Sequence, residues 1–321
     1  MATPPIDSHH RVWRRFAAEF LGMALALVGI TLYFGFTTDH FLTTANFLMI
    51  ANQIPSSIFV AVGMTFVIIY GGIDLSVGSV LAFSSAMLGY CLVNLGLPLP
   101  VAILGALAVG SGCGYLNGWI VTRWQLPSFI VTLGMLEAAR GAAYLVTDSQ
   151  TIYIGKQVEV ITTPFVFGLS YPILIALLTV VAGQFVLTRT SFGRYVVAAG
   201  YNEDVAYRSG INTKRIGKAV FLIGGLLTAV GALVETARFS SSDPNAGIGL
   251  ELEAIAAVVI GGTSLSGGRG SVVRTLFGVL IIAVLRNGLA AAGAEEYVKR
   301  LITGFVIVAA IILDQYRQKR S

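Results

Sequence analysis

The chain has 321 residues, of which 55% are hydrophobic and only 12% are charged, with a net charge of +5. Soluble domains carry roughly 25% charged residues, so this composition excludes a soluble globular protein and predicts an integral membrane protein. The high apolar content and the lack of a Gly-X-Y period also exclude disordered and collagen-like chains.

Apolar runs of roughly 17 to 25 residues are long enough to cross a bilayer as helices. The first run has no small-residue cleavage site after it, so we expect a retained anchor. The eighth run is too short to span unaided, so it is either a broken helix extended by its flanks or a re-entrant segment. The sequence thus predicts an all-α polytopic bundle of about ten transmembrane helices. The predicted spans are 16–36, 47–71, 75–95, 98–121, 127–147, 165–188, 216–238, 252–262, 271–293 and 298–313.

Lysine and arginine predict the orientation, because they accumulate in short cytoplasmic loops. With ten crossings, most of the 21 basic residues fall on the side of the two termini. We therefore expect both termini to be cytoplasmic, with an N-terminal segment 1–15, a membrane domain 16–313 and a basic tail 314–321. A positive inner rim suits anionic membrane lipid, so the net charge requires no nucleic-acid partner.

Polar residues interrupt the second span in ANQIPSSIF, where Pro55 is expected to break the helix. Asn52, Gln53 and Ser56 supply uncharged donors and acceptors. Such groups suit a neutral polyol in a translocation path, and they equally suit hydrogen bonding between helices.

A glycine pair and a lone aspartate follow at residues 71–79, GGIDLSVGS. The glycines are expected to stop one helix, and Asp74 or Ser76 to cap the next, where a carboxylate lies near the positive helix end. This structural interpretation needs no chemistry. The alternative is a direct role for Asp74 in the translocation path.

Two pairs of opposite charges lie three residues apart within predicted spans, Glu137 with Arg140 and Glu235 with Arg238. Ionisable groups inside a membrane are functional candidates by default. Each pair shares a helix face, however, so its members are able to neutralise one another. We therefore favour a structural role for both pairs.

The hydrophilic stretch 187–218, with a loop at 189–215, has the features of a short capped helix lying across the inner face. A helix with these caps either docks a partner or merely covers the bundle. The features are an N-cap residue, an acidic first turn, a basic last turn, a left-handed terminal glycine and a glycine that ends the preceding element. The corresponding residues are Asn202, Glu203 and Asp204, Arg208, Gly210 and Gly200.

The stretch 240–256 leads from an outer loop into a helix that begins near Glu251. It is followed at 261–272 by GGTSLSGGRGSV, which shares the pattern Gly-Gly-x-x-Leu-Ser-x-Gly with residues 71–78. Duplicated halves with matching helix breaks would explain this echo, and so would coincidence in a glycine-rich chain. Glu251, Gly261 and Gly262 are therefore candidates for the translocation path or for helix breaks.

Four segments resemble the ribose-type monosaccharide permeases of bacterial ABC importers, in the order typical of that family. They are GMTFVIIYGGIDLSVGSVLAF, NGWIVTRWQLPSFIVTLG, SFGRYVVAAGYNEDVAYRSGI and ELEAIAAVVIGGTSLSGGRGSV. The resemblance covers about residues 45–315. It implies a homodimer in the inner membrane, an ATPase subunit on the cytoplasmic side, and a periplasmic sugar-binding protein outside. It also implies that 200–210 couples the permease to the ATPase.

One departure concerns the ninth span, where the family usually has Asn-Asn-Gly-Leu and this chain has RNGL, with Arg286 in place of the first asparagine. The departure leaves the identity of the sugar open. Ribose, other pentoses, hexoses and polyols all remain candidate cargoes.

The sequence has no G-x-x-x-x-G-K-[ST] phosphate loop, and its nearest look-alike, GINTKRIGKA, has the wrong spacing. We therefore expect ATP and Mg²⁺ on the partner ATPase, and no catalytic residues, metal or cofactor on this chain. The rival hypothesis is an ATP-independent channel or an ion-coupled carrier for a small polar solute, which would also show many spans and midplane breaks. An intramembrane enzyme lacks a catalytic constellation.

Overall fold

The structure is a computed structural model that describes residues 8–318, apart from the side chains of 8–19, 165, 310 and 313–318. The basic tail predicted at 314–321 falls partly outside the described residues, as does the segment 1–15. The first helix begins at Ser8, before the start of the predicted first span.

Most of the described chain is helical, which confirms the predicted fold class. Within residues 8–318, eight helices are long and apolar enough to cross a membrane: α1 to α6, α9 and α11. The helices are α1 Ser8–Thr37, α2 Thr44–Tyr70, α3 Val77–Gly89, α4 Leu99–Trp124, α5 Ser128–Val146, α6 Tyr171–Arg189, α7 Ser191–Tyr201, α8 Glu203–Arg208, α9 Thr213–Phe239, α10 Leu250–Ile260, α11 Val272–Ala291 and α12 Glu296–Gln318. A π-helical turn, Tyr90–Asn94, extends α3.

In the part of the chain that the structure describes, four short strands form two antiparallel pairs at one end of the bundle, which we call the hairpin end. β1 pairs with β4, and β2 pairs with β3. Helices α7 and α8 lie at the opposite end, which we call the α8 end. The strands are β1 Ile152–Tyr153, β2 Pro164–Val166, β3 Leu169–Ser170 and β4 Ser241–Ser242.

Helix α10 corresponds to the short eighth span. The preceding loop leaves the hairpin end and packs against α3, where Gly247 abuts Gly78. The following loop reaches the end of α2, where the N–H of Gly268 donates to the carbonyl of Ile69 at 2.8 Å. The segment therefore crosses the bundle as a half-helix extended by two non-helical flanks.

Helix α2 is continuous through Pro55, so the predicted break at this proline is wrong. Proline removes one backbone donor and crowds the preceding turn. Neighbouring helices pack around most of α2, and its residues from Ile58 to Ile69 are all buried. This packing stabilises the helical course of the chain despite the missing hydrogen bond.

The most extensive helix contact in the bundle is the seam between α4 and α9. Gly110 and Gly114 of α4 lie against Gly225 of α9, and a Cβ at any of these positions would overlap the facing backbone. Small residues allow transmembrane helices to approach this closely, which replaces a hydrophobic driving force that lipid does not supply.

The variant Gly114→Ala is expected to destabilise the protein by roughly 1–3 kcal/mol, because the new methyl group would meet the carbonyl oxygen of Phe221, which belongs to the backbone. Gly112→Ala on the same helix is the matched control, since its Cβ would meet nothing within 4 Å. Thermal unfolding of both variants in detergent is the measurement. Equal unfolding temperatures for the two variants would contradict the requirement for glycine at position 114 of this seam.

Candidate functional site

The glycine pair at 71–72 ends α2, as the sequence predicts. Gly71 adopts a left-handed conformation with φ of 93°. Its N–H donates to Ile68, and the N–H of Gly72 donates to the carbonyl of Val67 at 2.9 Å. The two bonds satisfy carbonyls that a helix end otherwise leaves free.

Asp74 is buried, with an exposed fraction of 2%. Its Oδ1 accepts hydrogen bonds from the backbone N–H of Ser76 at 2.9 Å and from the Ser76 hydroxyl at 2.6 Å. Ser76 holds the N-cap position of α3 in a helical conformation, and its side chain caps no N–H of that helix. The prediction that Asp74 or Ser76 caps α3 is therefore wrong, because the two side chains bind each other.

Side chains of neighbouring helices form hydrogen bonds with the polar groups of the non-helical segment that contains Asp74. The N–H of Ile73 donates to Ser128 Oγ at 2.8 Å, and the N–H of Leu75 donates to Thr132 Oγ1 at 3.0 Å. Asn117 Nδ2 donates to Ser76 Oγ at 3.0 Å. This segment is thus tied to α4 and α5.

The glycine pair at 261–262 ends α10 much as the pair at 71–72 ends α2, but the left-handed residue is shifted by one position within the pair. Gly262 is the left-handed residue after α10, whereas Gly71, the first of its pair, takes that role after α2. Gly261 is right-handed and packs against Arg274 and Thr275 of α11. Both glycine pairs terminate helices at the α8 end, and the two loops contact each other.

Four glycines meet at this contact, and we call them the glycine junction: Gly71, Gly200, Gly267 and Gly268. A Cβ at Gly200 would overlap the carbonyl of Ile69, and one at Gly267 would overlap Gly200. The junction joins the end of α2, helix α7 and the loop after α10 through direct backbone contact.

The sequence predicted that Gly200 ends the element that precedes α8, and this prediction is wrong. Helix α7 continues to Tyr201, so Gly200 lies in its last turn. The glycine is required for close approach to α2, and this requirement depends on a neighbour distant in sequence.

The capping predicted for α8 is confirmed. Asn202 Oδ1 accepts from the N–H of Val205 at 3.0 Å. Glu203 and Asp204 occupy the first turn, Arg208 the last, and Gly210 is left-handed with φ of 86°.

An open groove of about 480 Å³ lies between α7 and α8, and we call it the α7–α8 groove. Apolar side chains dominate its lining, including Val197, Tyr201 and Val205. Val205 is 58% exposed at the groove.

A cavity of about 520 Å³ opens toward the hairpin end between α2, α9, α10 and α11. Gln53 and Ser56 line it, as the sequence suggested for a translocation path. Asn52 has another role, because its side chain donates to the carbonyl of Gly168 and accepts from the N–H of Ser170, both at 2.9 Å. Asn52 thus fastens the β2–β3 pair to α2.

Charged side chains of opposite sign face the cavity on α9. Glu235 accepts a hydrogen bond from Ser56 Oγ at 3.2 Å, and Arg238 lies over the ring of Phe239, 4.4 Å from its centroid. Within the described residues no ion pair of 4 Å or less joins Glu235 to Arg238. The two side chains interact electrostatically across a longer distance, which agrees with the neutralisation that their spacing predicts.

A second group of charges closes the cavity near α12. Arg286 forms an ion pair with Glu253 and lies 3.3 Å from Glu296. Lys299 Nζ lies 2.8 Å from Glu296, and this hydrogen bond lowers the pKa of the Glu296 carboxyl, so the group stays ionised. Arg286 and Lys299 therefore both have carboxylate partners.

Asn287 also lines the cavity, and its Oδ1 is buried with no hydrogen-bond partner among the side chains that the structure describes. A buried acceptor of this kind is available to a hydroxyl group of a bound solute. Neither Asn287 nor Lys299 is among the residues predicted from the sequence. The RNGL motif, which contains Asn287 beside Arg286, is the signal that could have indicated Asn287.

Arg140 and Glu251 lie beside the cavity rather than in its lining. Arg140 Nη1 donates to the carbonyls of Pro244 at 2.5 Å and Ala246 at 2.8 Å, and its guanidinium also interacts electrostatically with Glu137. Glu251 lies in the first turn of α10, packed near Gly78 at the start of α3.

Comparison with known proteins places this architecture in a family. A model of the family described as branched-chain amino acid transport system / permease component matches residues 46–311. A ribose import permease protein of Haemophilus influenzae is 38% identical over 297 residues, covering 91% of this chain and 92% of the relative. A xylose transport system permease protein of Escherichia coli is 33% identical over 362 residues, covering 93% and 92%.

A fructose import permease protein of Rhizobium meliloti is 33% identical over 316 residues, covering 94% of this chain and 86% of the relative. No solved structure matches the chain. The family match covers most of the chain, and the described residues contain eight helices suited to spanning a membrane. The chain therefore belongs to this family of transport-system permease components, as a multi-pass membrane protein.

Proposed function

We propose that this chain is the membrane-spanning subunit of an ATP-driven, binding-protein-dependent importer of a monosaccharide. The cavity at the hairpin end is the observation that carries this proposal. The relatives of this chain are named for the transport of ribose, xylose and fructose, all of which are neutral sugars.

The chemistry of the cavity suits a neutral polyol. Its volume of about 520 Å³ lies within the usual range for small-molecule sites, about 300–1,000 Å³. Gln53, Ser57 and Asn287 offer uncharged hydrogen-bonding groups. Arg286 is paired with Glu253 and Lys299 with Glu296, so these two cations at the cavity already have carboxylate partners.

The α7–α8 groove is the docking surface for an ATPase subunit in this proposal. Exposed apolar side chains at the end of a membrane protein suit a soluble partner. The glycine junction connects this surface to α2, which also lines the cavity through Gln53 and Ser56. Movement of α7 and α8 on ATP binding would thus act on one wall of the cavity, as alternating access requires.

The distribution of basic residues supports an inner-membrane orientation with the α8 end in the cytoplasm and both termini inside. A periplasmic sugar-binding protein then docks at the hairpin end, above the cavity. The importer contains two copies of this chain, with ATP and Mg²⁺ bound by the ATPase subunits.

Deletion of this chain is expected to abolish low-concentration uptake of one neutral sugar from a labelled panel of pentoses, hexoses and polyols. Complementation with the wild-type chain should restore that uptake. The panel also includes a branched-chain amino acid as a control for the wider family. Loss of amino-acid uptake alone, or unchanged uptake throughout, would refute the proposed cargo.

The double variant Asp204→Ala/Arg208→Ala is expected to reduce sugar uptake at least tenfold, because both charges belong to the segment that docks the ATPase. The amount of chain in the membrane should not change, since both side chains are exposed. Arg123→Ala, exposed at the same end of the bundle, is the control. Wild-type uptake by the double variant would count against the coupling role.

A further inference from the structure

The strands β2 and β3 and the turn between them, residues 164–170, form a hairpin that we call the β2–β3 hairpin. It belongs to a stretch, residues 160–188, that contains no charged side chain. Helix α6 follows the hairpin with 19 residues and is therefore about 28 Å long, close to the roughly 30 Å of a hydrocarbon core. The helix crosses the core by itself, so the hairpin is an additional uncharged segment that lies just beyond the core.

Phe167 occupies the tip of the β2–β3 hairpin, and its side chain is 91% exposed. It forms the turn together with Gly168, and both residues are left-handed, with φ of 52° and 84°. Asparagine or aspartate usually precedes glycine in such a turn, because short polar side chains tolerate the left-handed conformation. Neither the backbone conformation nor contact with water favours phenylalanine here. The ring therefore indicates a partner outside this subunit.

The hairpin is fastened to the bundle, so its tip has a fixed height. The Asn52 side chain of α2 donates to the carbonyl of Gly168 and accepts from the N–H of Ser170, both at 2.9 Å. A Cβ at Gly168 would lie 3.2 Å from the Leu48 side chain of α2. Strand β3 leads directly into α6, which has Pro172 in its first turn. These contacts hold the hairpin against the neighbouring ends of α2 and α6.

The helix surfaces beside the hairpin have the character of surfaces that face lipid. Helix α6 exposes Ile175 and Leu178, and only 33% of its membrane-spanning window is buried. Helix α2 exposes Phe47 and Met49 on either side of the residue that contacts the hairpin. Phe167 thus extends an apolar surface that the membrane-spanning helices already present to lipid.

The β1–β4 pair at the same end has a different surface. Lys156 and Glu159 follow β1, Asp243 follows β4, and all three are exposed. Charged residues of this kind suit water, whereas the uncharged β2–β3 hairpin does not. The described lining of the cavity also comes from other elements, the helices α2, α9, α10, α11 and α12 and the loop before α10. A protein that docks over the cavity is therefore not the partner that the position of Phe167 favours.

We propose that the β2–β3 hairpin inserts Phe167 into the headgroup region of the bilayer, so that the partner of this surface is a lipid membrane. Aromatic side chains are enriched at this depth, where the ring reaches the upper part of the acyl chains. Because Asn52 joins the hairpin to α2, the contact with lipid also fixes the height of the helix end that carries the cavity residue Gln53. The inference goes beyond the proposed function and does not depend on sugar transport.

Site-directed fluorescence quenching in phospholipid nanodiscs tests the position of the tip. In a Cys91→Ala/Cys113→Ala background, Phe167→Cys is labelled with bimane, and its 91% exposure makes the site accessible to the label. Lipid that carries a spin label at the top of the acyl chain is expected to quench this fluorescence at least twofold. Iodide in the aqueous phase should have little effect.

Two control positions calibrate the measurement. Lys156→Cys, exposed at the same end, should be quenched by iodide and not by the spin-labelled lipid, whereas Leu178→Cys on α6 should respond to lipid alone. Val166→Cys, 41% exposed on the same hairpin, provides a second position. Quenching by iodide at residues 166 and 167 as strong as at 156, without quenching by lipid, would overturn the proposal and leave the hairpin to a soluble protein partner.

Discussion

The hydrogen bonds that α5 makes to two non-helical segments are the constraint on which the rest of the structure depends. Backbone groups at membrane depth require partners inside the protein. Ser128 and Thr132 serve the segment before α3, and Arg140 serves the loop before α10. Because both segments are satisfied from one helix, α3 and α10 begin inside the bundle, where Gly78 meets Gly247.

This arrangement separates two surfaces and connects them mechanically. The cavity lies at the hairpin end, and the α7–α8 groove lies at the opposite end. Helix α2 spans the distance from Ser56 in the cavity to Gly71 in the glycine junction. Backbone packs directly on backbone at the junction, so few side-chain rearrangements are available to absorb a displacement of α7. In the proposed importer, a shift at one end would therefore be transmitted to the other.

Two local signals predicted local structure well, whereas the helix break at Pro55 and the cap of α3 by Asp74 or Ser76 were wrong. The caps of α8 are confirmed because Asn202 and Gly210 act on backbone groups within a few residues, and the glycine stop after α2 is confirmed for the same reason. Contacts with partners distant in sequence were not predicted. Arg140 and Glu235 have partners more than a hundred residues away, which no spacing of three residues indicates. Likewise, glycine is required at position 200 because the residue packs against the backbone of Ile69, and not because it ends its own helix.

The sequence by itself determined the membrane class, the approximate spans, the capped helix of the α7–α8 region and the family resemblance. These properties follow from apolar length, helix-end chemistry and ordered motifs, all of which are local along the chain. Only the tertiary structure decided that Asp74 is held by its neighbours, that Asn287 faces the cavity with a free acceptor, and that Glu137 lies on an uncovered face. Burial and pairing are properties of contacts between helices, and such contacts depend on how the bundle packs.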